Sequence, residues 1–114
     1  MTSPAQLGRT FSALADPTRR RVIQLLRRPH RAGELAVAAA MSPPAMSRHL
    51  RVLRASGLVE EETLDGDARV RVYQLRREPF LELEAWLESV ASFWSDKLVA
   101  FQEHVERRTK SRPK

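Results

Sequence analysis

The spacing of hydrophobic residues in the first half of the chain predicts four short helices, over residues 4–15, 17–28, 32–40 and 43–56. Leu7, Phe11 and Leu14 give the first helix one apolar face. The second and fourth helices each begin with a capping Asp or Ser followed by proline, an arrangement that favours helix initiation. Gly57 is placed to end the fourth helix in a left-handed conformation.

After Gly57 the pattern changes from helical spacing to alternation. Residues 59–64 and 69–75 read as two strands around a turn at Asp65–Ala68, which predicts a β-hairpin. Helical spacing then returns at Pro79, and one apolar stripe predicts a single long helix. Its members are Phe80, Leu83, Leu87, Val90, Trp94, Leu98, Phe101 and Val105.

This order predicts a mainly α-helical fold with a small β-hairpin, of the winged helix-turn-helix type (α-α-α-α-β-β-α). We expect one domain over residues 1–110, with a DNA-reading core at 17–77. The first and last helices, at about 4–15 and 79–108, are assigned to dimerisation. Residues 109–114 are basic and are expected to form a flexible tail.

Composition excludes several classes of protein. The chain has no cysteine, which excludes disulfides, thiolate metal ligands and thiol redox chemistry. No apolar run approaches the roughly 20 residues that a membrane span requires. The N-terminus lacks the basic and apolar segments of a secretory signal, so we expect a cytoplasmic protein that does not contact membranes.

Positive charge is concentrated in one segment. Residues 16–57 carry nine arginines against two acidic residues, a net charge of +7, whereas residues 58–114 carry ten basic and twelve acidic residues. A basic segment that coincides with the helix-turn-helix is the distribution expected when that segment faces a phosphate backbone. A solvated arginine-rich face is the alternative that charge alone leaves open.

The fourth helix carries the residues expected to read DNA bases. On a helical wheel Met46, Leu50 and Leu53 share one side, and Arg48 points almost opposite. An arginine flanked by small side chains can approach base edges in the major groove, where it can contact guanine O6 and N7. The predicted base contacts are Arg48, Ala45, Pro44, Ser47 and His49. His49 is open to a second interpretation, as a structural residue at the helix junction.

A second group of residues is assigned to the DNA backbone. Ser42 caps the fourth helix, whose N-terminus is suited to a phosphate, and Arg51 lies beside the base-reading face. Arginines on the second helix and beside the hairpin turn complete the set, although Asp65 and Asp67 would repel phosphates. The predicted backbone contacts are Ser42, Arg51, Arg19, Arg20, Arg69 and Arg71.

The last helix holds five of the seven aromatic residues of the chain. Because a domain of this size cannot easily enclose them all, and because aromatics are common interface anchors, we expect a homodimer. A helix buried within its own chain is the alternative. The predicted interface residues are Leu7, Phe11, Phe80, Leu83, Leu87, Val90, Trp94 and Phe101.

Several stretches resemble the ArsR/SmtB family of repressors. They are residues 11–20 (FSALADPTRR), 33–36 (GELA), 47–53 (SRHLRVL), 55–59 (ASGLV) and 71–75 (RVYQL). The resemblance covers roughly residues 7–77 and, more loosely, the C-terminal helix. It implies a homodimeric repressor that binds a palindromic operator formed by double-stranded DNA, with dimerisation through the first and last helices.

The resemblance points to the branch of the family that does not sense metals. Metal-sensing members carry a Cys-x-Cys element in the third helix, where this chain has Glu34–Ala39. Other members bind zinc through Asp and His pairs on the last helix; here Asp96 and His104 are eight residues apart, which leaves a cross-dimer site open. We expect no metal and no cofactor.

The sequence leaves two alternative functions open. One is a sensor of the same fold that binds an unidentified small-molecule inducer, or a metal, near Trp86, Phe93 and Trp94. The other is a winged-helix module that serves only protein interaction or dimerisation, for which the arginine-tipped fourth helix would be unnecessary. We expect no enzymatic activity and assign no catalytic residue, because no nucleophile triad or phosphate-binding glycine loop is present.

Overall fold

A computed structural model describes residues 3–64 and 67–111. Over these residues the chain forms five helices and a two-stranded antiparallel hairpin, which confirms the predicted order. The elements are α1 (Pro4–Leu14), α2 (Pro17–Leu25), α3 (Ala32–Ala38), α4 (Pro43–Ala55), β1 (Val59–Leu64), β2 (Asp67–Leu75) and α5 (Arg77–Ser111).

The helix boundaries follow from capping side chains. Asp16 accepts hydrogen bonds from the backbone N–H groups at the start of α2, and Ser42 does the same for α4. Gly57 follows α4 with φ of 80°, the left-handed conformation predicted for it. Capping residues with local partners explain why these ends could be predicted from sequence.

Several helix ends differ from prediction. α2 ends at Leu25 rather than at residue 28, and α5 begins at Arg77 rather than at Pro79. α3 ends at Ala38 rather than near Ala40, because Ala40 adopts φ of 53° and the Met41 N–H donates to the Ala36 carbonyl at 2.9 Å, which closes the helix. α5 continues through Ser111, so the segment predicted as a flexible tail is helical over residues 109–111. Residues 112–114 lie outside the described part of the chain.

The hairpin is longer than its predicted strands. β2 begins at Asp67, so Asp67 and Ala68 belong to a strand rather than to the turn. The register runs from Val59 opposite Leu75 to Leu64 opposite Asp67, with an irregularity after Thr63. The remaining turn positions, 65 and 66, lie outside the described residues.

A short bridge outside the hairpin was not predicted. The His30 N–H donates to the Tyr73 carbonyl at 3.1 Å, and the Tyr73 N–H donates to the His30 carbonyl at 2.7 Å. These two bonds attach the α2–α3 connection to β2. A single bridging residue between Pro29 and Arg31 leaves no alternating pattern, so the sequence carried no signal for it.

The hydrophobic core lies among α1 to α4 and the start of the hairpin. Its buried members are Ala13, Val22, Leu26, Leu35, Ala36, Met46, Leu50, Leu53, Leu58 and Val59. Tyr73, Leu75 and Phe80 are partly buried against it. Because α4 contributes three fully buried side chains, its orientation is fixed by the core and its opposite side is left for solvent.

The chain divides into two compact units, residues 1–83 and 84–114. The first contains the core described above. In the second, every side chain from 84 to 109 is exposed except Val90, which is half-buried. No helix within the described residues is long and apolar enough to cross a membrane.

Candidate nucleic-acid interface

The faces of α4 are arranged as predicted. Met46, Leu50 and Leu53 are buried, while the side opposite them is exposed at Arg48. Of the other predicted contacts, Ser42, Pro44, Ser47 and Arg51 are exposed, and Ala45 and His49 are half-buried. The helix therefore presents small side chains and three arginines, Arg48, Arg51 and Arg54, on its exposed surface.

The N-terminus of α4 is held by its cap. The Ala45 N–H donates to the Ser42 hydroxyl at 3.3 Å, and the backbone before Pro43 is extended. Because the first N–H groups of a helix carry partial positive charge and Ser42 is exposed, this end of α4 can accept a phosphate. It lies on the same helix as Arg48, so one element presents groups suited to bases and to backbone.

His49 of α4 is one of the groups that lower the pKa of Asp16, the capping residue of α2. The pKa of Asp16 is held below its ordinary value chiefly by the hydrogen bond from the Arg19 backbone N–H, and burial opposes this effect. The Thr18 N–H, the Arg19 guanidinium and His49 lower that pKa further. His49 is half-buried on α4, and its assignment to DNA stays a prediction.

Arg19 and Arg20 are directed at the end of α1. Arg19 Nε donates to the Ala13 carbonyl at 2.7 Å and Nη2 to the Ser12 carbonyl at 3.4 Å. Arg20 Nη1 donates to the Leu14 carbonyl at 2.7 Å. Both arginines were predicted to contact the DNA backbone. The sequence did not indicate these intramolecular partners, because they depend on the packing of α1 against α2.

The arginines of the hairpin differ in their surroundings. Arg71 is exposed but pairs with the Glu61 carboxylate at 3.2 Å, and the same carboxylate lies 3.0 Å from Arg54 of α4. Arg69 is exposed and also interacts within the chain. Glu61 was not predicted as a site residue, although its position diagonally across the hairpin from Arg71 is a signal that strand register would have given.

An open groove of about 570 Å³ lies between α4 and the hairpin. Three arginines line it: Arg51 and Arg54 from α4 and Arg76 from the connection after β2. Glu60 and Glu61 also line it, so the groove is not uniformly positive. Arg54 and Arg76 are not among the predicted DNA contacts, because the position of their side chains beside this groove depends on the packing of the hairpin against α4.

The predicted dimer residues fall into two groups. Phe80 is half-buried against the core of the first unit, and Leu83 and Leu7 are also half-buried. The remaining large apolar side chains of the prediction are exposed, except Val90: Phe11 by 41%, Leu87 by 50%, Trp94 by 58% and Phe101 by 66%. The apolar stripe of α5 thus begins at Phe80, which packs against the core of the first unit, and apart from Val90 its members in the second unit are exposed.

Two aromatic rings on α5 contact each other. Phe93 and Trp94 meet edge to face with centroids 5.9 Å apart, and Lys97 Nζ lies 5.5 Å from the Phe93 centroid. Both rings remain more than half exposed. In the described part of the chain, no group of three or more His, Cys, Asp or Glu residues could hold a metal ion.

Comparisons with known proteins identify the fold. A family model described as a helix-turn-helix domain matches residues 14–62. The HTH-type transcriptional regulator Rv2034 of Mycobacterium tuberculosis is 34% identical over 99 residues, covering 86% of this chain and 87% of that protein. A crystal structure of an ArsR family transcriptional regulator is 38% identical with a TM-score of 0.70, covering 82% of this chain and 95% of that chain.

The chain belongs to the ArsR family of transcriptional regulators. A third relative is the homodimeric winged helix-turn-helix DNA-binding domain of a Mycobacterium bovis protein, solved by NMR. It is 27% identical, covers 77% of this chain and 80% of that chain, and has a TM-score of 0.61. The predicted family, the winged helix-turn-helix fold and the assignment to DNA-binding regulators rather than enzymes are confirmed.

Proposed function

We propose that this ArsR family regulator is a homodimeric repressor that binds a palindromic operator through α4 and uses no metal cofactor. The observation that carries the proposal is the division of α4 into a buried side at Met46, Leu50 and Leu53 and an exposed side tipped by Arg48. A helix held by the core on one side can enter the major groove with the other.

The proposed contacts divide by role. Arg48 reads a base through its guanidinium, and the small side chains of Pro44, Ala45 and Ser47 allow close approach to the groove. The capped N-terminus at Ser42 and the exposed Arg51 bind phosphates. Arg69 and Arg71 of the hairpin bind phosphates or the minor groove, with Arg71 first releasing part of its ion pair with Glu61.

A second copy of the chain is the proposed occupant of the apolar surfaces on α1 and α5. Trp94 and Phe101 are exposed in the protomer, and large exposed aromatics are typical anchors of an interface. The Mycobacterium bovis relative is homodimeric, which supports the same assembly here. A two-fold dimer presents two α4 helices to half-sites about 34 Å apart, and this spacing implies a palindromic operator.

The proposal of a metal-independent regulator rests on the residue types available. The chain has no cysteine, and α3 offers Glu34 as its one acidic side chain. Asp96 and His104 are the residues through which a site across the dimer would form. We therefore expect neither added zinc nor a chelator to change the affinity of the wild-type chain for the operator. The variant His104→Ala should show the same insensitivity.

Selection from a random duplex library, followed by gel shifts at physiological salt, tests the proposal. We expect an enriched sequence with two-fold symmetry that binds at least about 1,000-fold more tightly than random duplex. Enrichment of no sequence would contradict specific binding, and enrichment of one unpaired half-site would contradict the dimeric arrangement. Transcription in vitro from a promoter that contains the selected sequence then tests repression, since activation or no effect would contradict that role.

A further inference from the structure

Three consecutive arginines follow Pro17 and Thr18 in α2, and two of them are bound to the preceding helix. The last carbonyl groups of a helix have no partner within it and carry partial negative charge. Four consecutive carbonyls at the end of α1, those of Ser12, Ala13, Leu14 and Ala15, receive N–H groups from Arg19 and Arg20. We call this set of contacts the arginine clamp.

Arg19 is the more fully engaged of the pair. Its Nε and Nη2 donate to α1, and its Nη1 lies 3.9 Å from the Asp16 carboxylate, so all three nitrogens face partners in the chain. Its side chain is only 18% exposed. A guanidinium that reached for a phosphate would have to leave these partners, two of which are carbonyls at a helix end.

The clamp spans a very short connection. Only Ala15 and Asp16 separate α1 from α2, and two residues have few backbone dihedrals through which the angle between the helices could change. Asp16 caps α2 by accepting from the Thr18 N–H at 2.7 Å and the Arg19 N–H at 3.1 Å. α2 and α4 contribute buried side chains to one hydrophobic core, so the position of α4 depends on that of α2. The junction thus connects α1, α2 and the DNA-reading helix.

We propose that Arg19 and Arg20 are positioning residues that fix the angle between the dimerisation helix and the DNA-reading helix, and that they do not bind DNA phosphates. This inference rests on the proposed function, in which α1 contributes to the dimer and α4 reads a half-site. Any change in the angle between α1 and α2 moves both copies of α4. The clamp therefore sets the half-site spacing that the dimer accepts.

Loss of a positioning residue and loss of a phosphate-binding residue have different effects on DNA binding. Each lost phosphate contact reduces the dependence of log affinity on log salt by about 0.9, so a phosphate-binding arginine lost from both protomers would reduce it by about 2. It would also weaken every duplex alike. Loss of a positioning residue leaves the salt dependence unchanged and reduces the preference for one half-site spacing.

The experiment uses the dimer of this chain and two duplexes: the symmetric duplex selected above, and the same duplex with one base pair inserted between the half-sites. The inserted base pair moves the half-sites about 3.4 Å further apart and rotates one relative to the other by about 35°.

The protein variants are Arg19→Gln, Arg19→Lys and Arg20→Gln. Arg20 is exposed, so we expect Arg20→Gln to fold even if Arg19→Gln does not. Arg27→Gln, an exposed arginine after α2, controls for loss of charge.

We expect each clamp variant to lose about 2- to 30-fold of the preference for the selected spacing, at unchanged salt dependence. Arg19→Lys should behave like Arg19→Gln, because one ammonium group cannot reproduce the fork that reaches both carbonyls. An unchanged spacing preference, or a salt dependence reduced by about 2, would overturn the inference. If the wild-type chain selects no symmetric sequence, the proposed function itself fails, and this outcome is distinct from the other two.

Discussion

The carboxylate of Glu61 lies 3.0 Å from the guanidinium of Arg54, so the first strand of the hairpin is paired with the last turn of α4. The same carboxylate pairs with Arg71 on the second strand at 3.2 Å. Glu61 is 14% exposed, whereas both arginines are more than half exposed. One carboxylate therefore connects three elements at the edge of the proposed DNA-binding surface.

Replacement of Glu61 by Gln should lower the free energy of unfolding by about 1 kcal/mol, because ion pairs to arginines that are more than half exposed each contribute only a fraction of that amount. Urea denaturation at low salt measures the change, and the difference should shrink in 1 M salt. Glu60→Gln is the matched control, since exposed Glu60 accepts a hydrogen bond from Gln74 that a neutral amide can also accept. Equal losses in the two variants would contradict a special role for Glu61.

Asp16 should make stability depend on pH. Its pKa is lowered in the folded chain, chiefly by the hydrogen bond from the Arg19 N–H, from an ordinary value of 3.8. A lowered pKa means that the ionised form stabilises the fold fully above pH 3.8 and that this contribution is lost as pH falls through the folded-state pKa.

Asp16→Asn keeps a capping oxygen but cannot ionise, so its deficit in stability relative to wild type should be present at pH 7 and should decrease below pH 3.8. Thermal unfolding from pH 7 to pH 2.5 measures this difference. A deficit that is the same at every pH would show that the ionised carboxylate contributes nothing.

Gly57→Ala should lower the free energy of unfolding by about 1 kcal/mol, because residue 57 has φ of 80° and a side chain strains that conformation. A Cβ there would meet the Gln6 side chain at 3.6 Å, an ordinary contact, so the cost is in the backbone. Gly33→Ala is the control in the opposite direction. Gly33 lies in α3 with open space around it, and alanine should add up to about 1 kcal/mol. Destabilisation by both would contradict the backbone explanation.

Arg48→Ala should lose about 1–3 kcal/mol of discrimination at one base pair in each half-site, with stability unchanged. Competition gel shifts against duplexes substituted at each position identify the affected pair. Arg51→Ala provides the comparison, because loss of a phosphate contact should weaken all sequences alike. If Arg48→Ala weakens every duplex equally, Arg48 is not a base-reading residue.

Trp94→Ala should weaken the dimer by about 2 kcal/mol or more, because truncated aromatic anchors commonly have effects of this size. Sedimentation velocity over a range of concentrations measures the change. Gln102→Ala, at another exposed position of α5, should leave dimerisation intact. Since Trp94 is 58% exposed in the protomer, its loss should leave the helical circular dichroism signal unchanged. A dimer as stable as wild type would contradict the proposed interface.

Local interactions explain why most of the fold could be predicted. The capping side chains of Asp16 and Ser42 and the left-handed Gly57 act within a few residues of themselves, so the sequence determined where α2 and α4 begin and where α4 ends. The periodicity of Met46, Leu50 and Leu53 likewise determined which side of α4 is buried. Family motifs over the same residues added the DNA-binding function.

Tertiary structure decided the features that depend on distant partners. The bridge between His30 and Tyr73, the pairing of Glu61 with Arg54, and the direction of Arg19 towards the Ala13 carbonyl join residues on different elements. An arginine has the same charge in the sequence whether it faces a phosphate or a helix end. Only the packing of α1 against α2 supplies the carbonyl groups that Arg19 and Arg20 bind, because hydrogen bonding depends on distance and direction as well as on residue type.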